Sequence, residues 1–123
     1  MVKRSIGVRL RDMLRSIDGA MEIIDGVDLA SYRKSFFKRM AIERCVEIVS
    51  EASRHIPEDM KERHPAIPWP EIRAIGNLLR HHDGRIDDRV IWRIATSSLP
   101  ELKQVVEALL AEIEDIKARN QKS

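Results

Sequence analysis

The run RAIGNLLRHHDGRID, Arg73 to Asp87, places His81 and His82 directly behind Arg80, with Arg73 and Asn77 upstream and Gly76 between them. On a helix turning 100° per residue, Arg73, Asn77 and His81 are successive i, i+4 neighbours and form one polar stripe. Arg80 lies seven positions after Arg73 and nearly eclipses it in projection. His82 points about 100° away from His81, so both rings cannot face one target while the helix persists. An imidazole titrates near neutrality and passes protons. Guanidinium groups grip phosphate oxygens and stabilise charge developing on them. Together with an orienting amide, these groups suit metal-free cleavage of RNA. The 2′-hydroxyl attacks the adjacent phosphorus, a histidine handles the proton, and arginine stabilises the phosphorane. The candidate catalytic residues are His81 and Asn77, and the candidate phosphate or RNA contacts are Arg73, Arg80 and His82.

A second reading stays open on spacing alone. Arginine and histidine near a helix C-terminus complement the helix dipole, each by roughly 0.3–1 kcal/mol. A metal site is not expected, because the consecutive His81, His82 and Asp83 cannot converge on one ion. His55 and His64 stand at segment ends without ligand-like spacing and read as surface residues. No cofactor is implied.

Helices must position this stretch. Ile6, Leu10, Met13, Leu14, Ile17, Met21 and Ile24 mark one apolar face of a first helix, with Gly26 as its stop. A second helix is predicted from about Leu29 to His55, with the stripe Phe37, Met40, Ala41, Cys45, Ile48, Val49, Ala52 and Ile56. Its other face, Arg39, Glu43, Arg44, Glu47 and Glu51, reads as solvated. Pro57 ends it. A short helical turn precedes Pro65, and a third helix runs from Pro70 to about His82, with Gly84 as its stop. A fourth, short helix starts at Asp87 or Asp88 and carries Trp92. A fifth opens at Ser98 with Glu101 in capping-box spacing and carries Leu102, Val105, Val106, Leu109, Leu110, Ile113 and Ile116. The fold class is therefore all-α, an antiparallel helical bundle of four main helices plus short ones. One bundle is expected over residues 1–118, with a frayed tail over 119–123. The broad stripes favour a homodimer. Trp69 and Trp92 read as core anchors.

The 123 residues suit one domain, and 43% hydrophobic content suffices for a core. Lys+Arg 22 against Asp+Glu 20 leaves a net charge of +2, too small to imply nucleic-acid binding by bulk electrostatics, so any anion site must be a local cluster. Arg33, Lys34, Lys38 and Arg39 form one basic patch, read by default as a solvated face. The lone Cys45 fits a reducing compartment and reads as buried. Without a signal-like start or a stretch of roughly 20 apolar residues, a cytoplasmic protein with no membrane role is expected.

Several separated motifs resemble one family. Ala41 to Trp69, with Glu51-Ala52 and Ile67-Pro68-Trp69, looks like the second-helix signature of the HepT-like branch of the HEPN superfamily. GRIDDRVIWRIATSSLPEL resembles that family's turn, Trp-bearing short helix and Leu-Pro-x-Leu entry to the last helix. The resemblance spans about Leu10 to Leu110. It implies a dimerising helical bundle and a metal-independent ribonuclease toxin paired with a minimal nucleotidyltransferase antitoxin. It also implies a signature of Arg, four to six residues, His, one residue, Tyr, with Asn directly after the Arg. Aligned without gaps, Asn77 and His81 fall on the family's Asn and His. The Arg position falls on Gly76 and the Tyr position on Asp83, so AMP transfer to a tyrosine there is impossible. Arg73 or Arg80 is the candidate replacement for the lost guanidinium. The alternative is an inactive dimer serving as a binding or regulatory subunit of the nucleotidyltransferase.

Overall fold

A computed structural model describes residues 5–81 and 86–122. Among these the chain is helical and without strands: α1 (Ile6–Ile24), α2 (Leu29–Lys34), α3 (Phe36–Ser53), α4 (Glu58–Glu62), α5 (Trp69–His81), α6 (Asp88–Arg93), a π-helical turn (Ile94–Ser98) and α7 (Leu99–Lys122). The four longer helices, α1, α3, α5 and α7, form the bundle. Helix α3 packs on both α1 and α5, and α1 also packs on α7.

Each helix has a local cause. The Ser5 hydroxyl accepts from Val8 N at 3.2 Å and caps α1. Its core face is Leu10, Met13, Ile17 and Ala20, as the apolar period demands. The chain leaves α1 through Gly26, whose φ of 71° is the left-handed conformation that glycine adopts without strain. The Asp28 carboxylate caps α2 and Asp87 caps α6. Both are held below the usual carboxylate range, chiefly by backbone N–H bonds from Ser31 and Arg89 respectively.

The predicted helix from Leu29 to His55 is two helices. Ser35 takes an extended conformation (φ −99°, ψ 106°), ends α2, and caps α3 by accepting from Lys38 N at 3.2 Å. The break resets the phase of the apolar face. Helix α3 buries Ile42, Val46, Val49, Ala52 and, unexpectedly, Ser50 and Ser53, whereas Phe37 is 83% and Met40 40% exposed. The expected stripe through Phe37 and Met40 is therefore corrected.

The expected capping box at Ser98 is also absent. Helix α6 runs into α7 through the π turn, with Leu99 N–H donating to Ile94 O. Pro100 explains the widened turn. It has no N–H to give to the carbonyl four residues back, and its ring would strike that carbonyl in a regular helix. Helix α7 then buries Leu99, Leu102, Val106, Leu109 and Leu110, and is tied to α1 by Lys103 Nζ to Asp18 Oδ1 at 2.8 Å. From residue 114 to 121 every position is exposed.

Helices α3 and α5 approach each other closely at one glycine. Gly76 is buried, and a Cβ added there would stand 1.8 Å from Ser50 Oγ and 2.3 Å from Ser50 Cβ. A serine hydroxyl can rotate away, but its Cβ cannot, so any side chain at 76 would push the helices apart. Gly76→Ala should destabilise by about 1–3 kcal/mol through overpacking, despite alanine's better helix propensity. Adding Ser50→Gly should return most of that loss. Urea unfolding of the two single variants and the double variant measures the coupling; additive losses would show that the two residues do not share this contact.

Candidate active site

Helix α5 divides its residues by face. Ile72, Ile75 and Gly76 are buried, while Arg73, Asn77 and His81 are exposed. The predicted polar stripe therefore faces outward, with His81 as the helix's last residue. His82 and Asp83 lie outside the described residues.

Arg80 departs from the stripe. Helical side chains lean toward the N-terminus, so Arg80 folds back over Asn77 and Gly76. Its Nη2 donates to Asn77 Oδ1 at 2.6 Å. Its Nη1 lies 3.4 Å from Glu51 Oε2 on α3, and 3.6 Å from where a Cβ on Gly76 would stand. The guanidinium thus fills the space over the glycine, across the close approach of α3 and α5. Because Asn77 Oδ1 accepts from Arg80, the amide's two N–H donors are left to face a ligand.

Glu51 is the hub on the other side. Besides Arg80 it meets Arg54 Nη1 at 3.8 Å and His55 Nε2 at 3.5 Å. Reading Glu51 as part of a merely solvated face missed this role. The one signal for it in the sequence is indirect: a glycine inside a helix marks a close neighbour.

Arg73 and Arg80 are not brought together. Arg73 shares with Asn77 a cleft of about 650 Å³, bounded by the end of α3, by α4 and by the start of α5. Arg80 lines a separate depression of about 290 Å³ with Arg9, Arg44 and Glu51. In the first cleft Trp69 is held rigidly, its Nε1–H shared between Lys61 O (3.2 Å) and His64 O (3.1 Å). Trp92 instead packs against Tyr32, with ring centroids 5.1 Å apart and the planes tilted by 39°. Both tryptophans are half-buried.

Away from α5, Arg33 pairs with Asp88 at 3.9 Å and lines a depression with Lys34 and Arg39. The buried Tyr32 hydroxyl has no hydrogen-bond partner among the described residues, and burial raises its pKa. Burial likewise raises the Cys45 thiol and the Glu43 carboxyl, and nearby Asp88 adds to the shift at Glu43. Among the described residues no three His, Cys, Asp or Glu side chains cluster as metal ligands, and no helix is long and apolar enough to cross a membrane.

Residues 13–109 match the family described as Ribonuclease HepT-like. A protein of Methanocaldococcus jannaschii named for an RNase is 34% identical over 107 residues, 87% of this chain and 98% of the relative. A Thermococcus cleftensis protein named Probable ribonuclease HepT is 34% identical over 103 residues, 80% of this chain and 94% of the relative. No solved structure matches.

The tie between Arg80 and Asn77 is open to direct measurement. Arg80→Ala should change stability by only about 1 kcal/mol, because the pair is near the surface and Glu51 keeps its other cations. It should nevertheless move the side-chain amide resonances of Asn77 toward those of a free amide. Unmoved Asn77 amide signals in that variant would remove the tie.

Proposed function

The chain belongs to the HepT-like ribonuclease family, and on that premise we propose that it is the toxin of a toxin–antitoxin pair, a cytoplasmic, metal-independent endoribonuclease acting as a homodimer. His81 and Asn77 are its catalytic residues. Arg80 supplies the guanidinium that the family signature carries at the position of Gly76. The observation that carries this reading is the place of the Arg80 side chain, lying over Gly76 and bonded to Asn77 at 2.6 Å. The signature's arginine is moved four positions along the helix, and its charge returns to the same neighbourhood.

In this reading the substrate phosphate sits against the Asn77 amide N–H donors and the Arg80 guanidinium. The 2′-oxygen attacks phosphorus as its proton passes to a neutral imidazole. A bond from O2′ to phosphorus forms, the bond to O5′ breaks, and a protonated imidazole gives its proton to the departing O5′. The products are a 2′,3′-cyclic phosphate and a 5′-hydroxyl end. Arg73 contributes to holding the RNA from its own cleft, and His82 is proposed as a further RNA contact.

The dimer draws support from an exposed apolar patch. Phe36 is 59%, Phe37 83%, Met40 40% and Leu78 47% exposed. Met40 and Leu78 line one depression between α3 and α5, and Leu78 is the next residue after Asn77. Large apolar side chains left exposed near one another, as Met40 and Leu78 are, mark interfaces. A second copy on this patch brings two α5 polar edges close together, so that one imidazole serves as base and the other as acid.

One observation favours the alternative, an inactive dimer that binds a minimal nucleotidyltransferase. The Arg80 guanidinium is already engaged by the Glu51 carboxylate at 3.4 Å, which competes with a phosphate. Cleavage of a mixed RNA in excess EDTA separates the two. The expected outcome is activity in the wild type, lowered roughly 10²–10⁴-fold by His81→Ala and roughly 10²–10³-fold by Arg80→Ala, with a smaller loss for Arg73→Ala. Negligible cleavage by both wild type and His81→Ala gives the binding subunit instead.

Sedimentation velocity tests the assembly. The wild type is expected to run as a dimer and Phe37→Asp/Leu78→Asp as a folded monomer; a monomeric wild type overturns the shared cleft.

A further inference from the structure

We infer that the cleft between the end of α3, α4 and the start of α5 is a nucleotide subsite, which seats the base and phosphate of one RNA nucleotide next to the bond cleaved at His81. This rests on the ribonuclease reading above and adds to it a place where a particular part of the substrate is held.

Three features of the cleft point to a nucleotide. Its volume, about 650 Å³, is ample for one. Its lining is divided: Ile67, Trp69, Pro70 and Ala74 offer apolar surface, and Arg54, Lys61 and Arg73 offer positive charge, three cations against the two carboxylates of Glu58 and Glu62. A nucleotide has the same division, a flat base and an anionic phosphate. Finally, the aromatic element is preorganised. The two carbonyls that accept from Trp69 Nε1 fix the indole, and Lys61 Nζ stands 5.9 Å from its ring centroid. Its donor is spent on the protein and its ring is shared with Lys61, so what it offers a ligand is the part of its π surface that lines the cleft. Stacking of this type is worth roughly 1–3 kcal/mol per base and tolerates different bases.

The cations are not equivalent. Arg54 is shared with Glu51 at 3.8 Å and Lys61 with Glu58 at 3.6 Å. Among the described residues no carboxylate pairs with the exposed Arg73. Arg73 is therefore the group free to meet a phosphate, and it lies one i, i+4 step from Asn77 on the same helix edge. Asn77 belongs to both places: it lines this cleft and it is bonded to Arg80. One further step along that edge is His81. A strand whose reacting phosphate lies at Asn77, Arg80 and His81 thus delivers its neighbouring nucleotide to Arg73 and Trp69.

The test reads binding without requiring cleavage. The full chain is titrated with AMP, GMP, CMP, UMP and inorganic phosphate in turn, and the indole N–H of Trp69 is followed by heteronuclear NMR, identified against Trp92→Phe. At least one monophosphate should shift the Trp69 signal together with the backbone signals of Ala74 and Asn77, whereas inorganic phosphate should leave the indole unmoved. Ala74 is exposed, so Ala74→Trp fills the cleft without disturbing the core and should weaken that binding at least tenfold. A silent indole with every monophosphate, the same shift from inorganic phosphate, or full affinity in Ala74→Trp overturns the subsite. The companion cleavage assay keeps the two readings apart. An inactive chain that binds a monophosphate in this cleft retains the subsite and loses the nuclease, and an active chain with a silent indole does the reverse.

Discussion

The contact between Gly76 and Ser50 is the constraint on which the functional face depends. With no Cβ at 76, α5 lies against α3 so closely that Ser50 Oγ stands 1.8 Å and Arg80 Nη1 3.6 Å from where that Cβ would be. Arg80 reaches over that point to Glu51 and, on the way, to Asn77. A larger residue at 76 would separate the helices and also displace the guanidinium. Packing and site geometry therefore have one cause. The helix propensity given up at glycine, roughly 1 kcal/mol relative to alanine, is offset by the burial of Ile72 and Ile75 that close packing permits.

The same packing sets which surfaces remain unpartnered. Helix α3 is covered by α1 on one side and by α5 on another, so its buried residues spread around much of its circumference. Two serines are drawn inside as a result. Ser53 Oγ donates to Ser50 O at 2.7 Å, which satisfies a hydroxyl that would otherwise be costly to bury. Phe36, Phe37 and Met40, at the start of α3, are left outside the core, while Leu78 leaves α5 on the exposed side. Met40 and Leu78 thus line one depression between α3 and α5.

Much of the fold was legible in the sequence because amphipathic periodicity is a local signal. The stripes of α1 and α7 were readable from their spacing, except that Ile116, expected in the α7 stripe, is 52% exposed, and Gly26 and Asp87 end and begin helices where turn chemistry says they should. Helix α3 was misread because burial on two sides blurs a single stripe, which let Phe37 and Met40 join residues that do face the core. Ser35 is one polar residue within a helical pattern, and nothing local distinguishes a break there from a solvent-facing position. Ser98 and Glu101 have the right spacing for a cap, but the chain meets Pro100 by widening one turn instead of starting afresh. Candidate residues on one helix, Arg73, Asn77 and His81, could be placed by geometry alone. Glu51 could not, since its pairing with Arg80 depends on how two helices cross.

Under the proposed function, the departure from the family signature is a displaced charge rather than a missing one. An arginine at 76 would have to start from the helix face that is buried against Ser50. An arginine at 80 starts one turn later, and the lean of helical side chains carries its guanidinium back over the same turn. The displacement has an electrostatic consequence, because the guanidinium now lies against a carboxylate. That carboxylate is not devoted to it: Arg54 and His55 also stand within 4 Å of Glu51, at 3.8 and 3.5 Å. Under the proposed reaction, an arriving phosphate competes for Arg80 against an acid already shared among three basic groups. The exposed Asn77 amide beside it needs no such exchange, because its carbonyl is occupied by Arg80 and its N–H donors are free. The pair can then bind an anion by a shift of one side chain, with α5 and its contact to α3 unchanged.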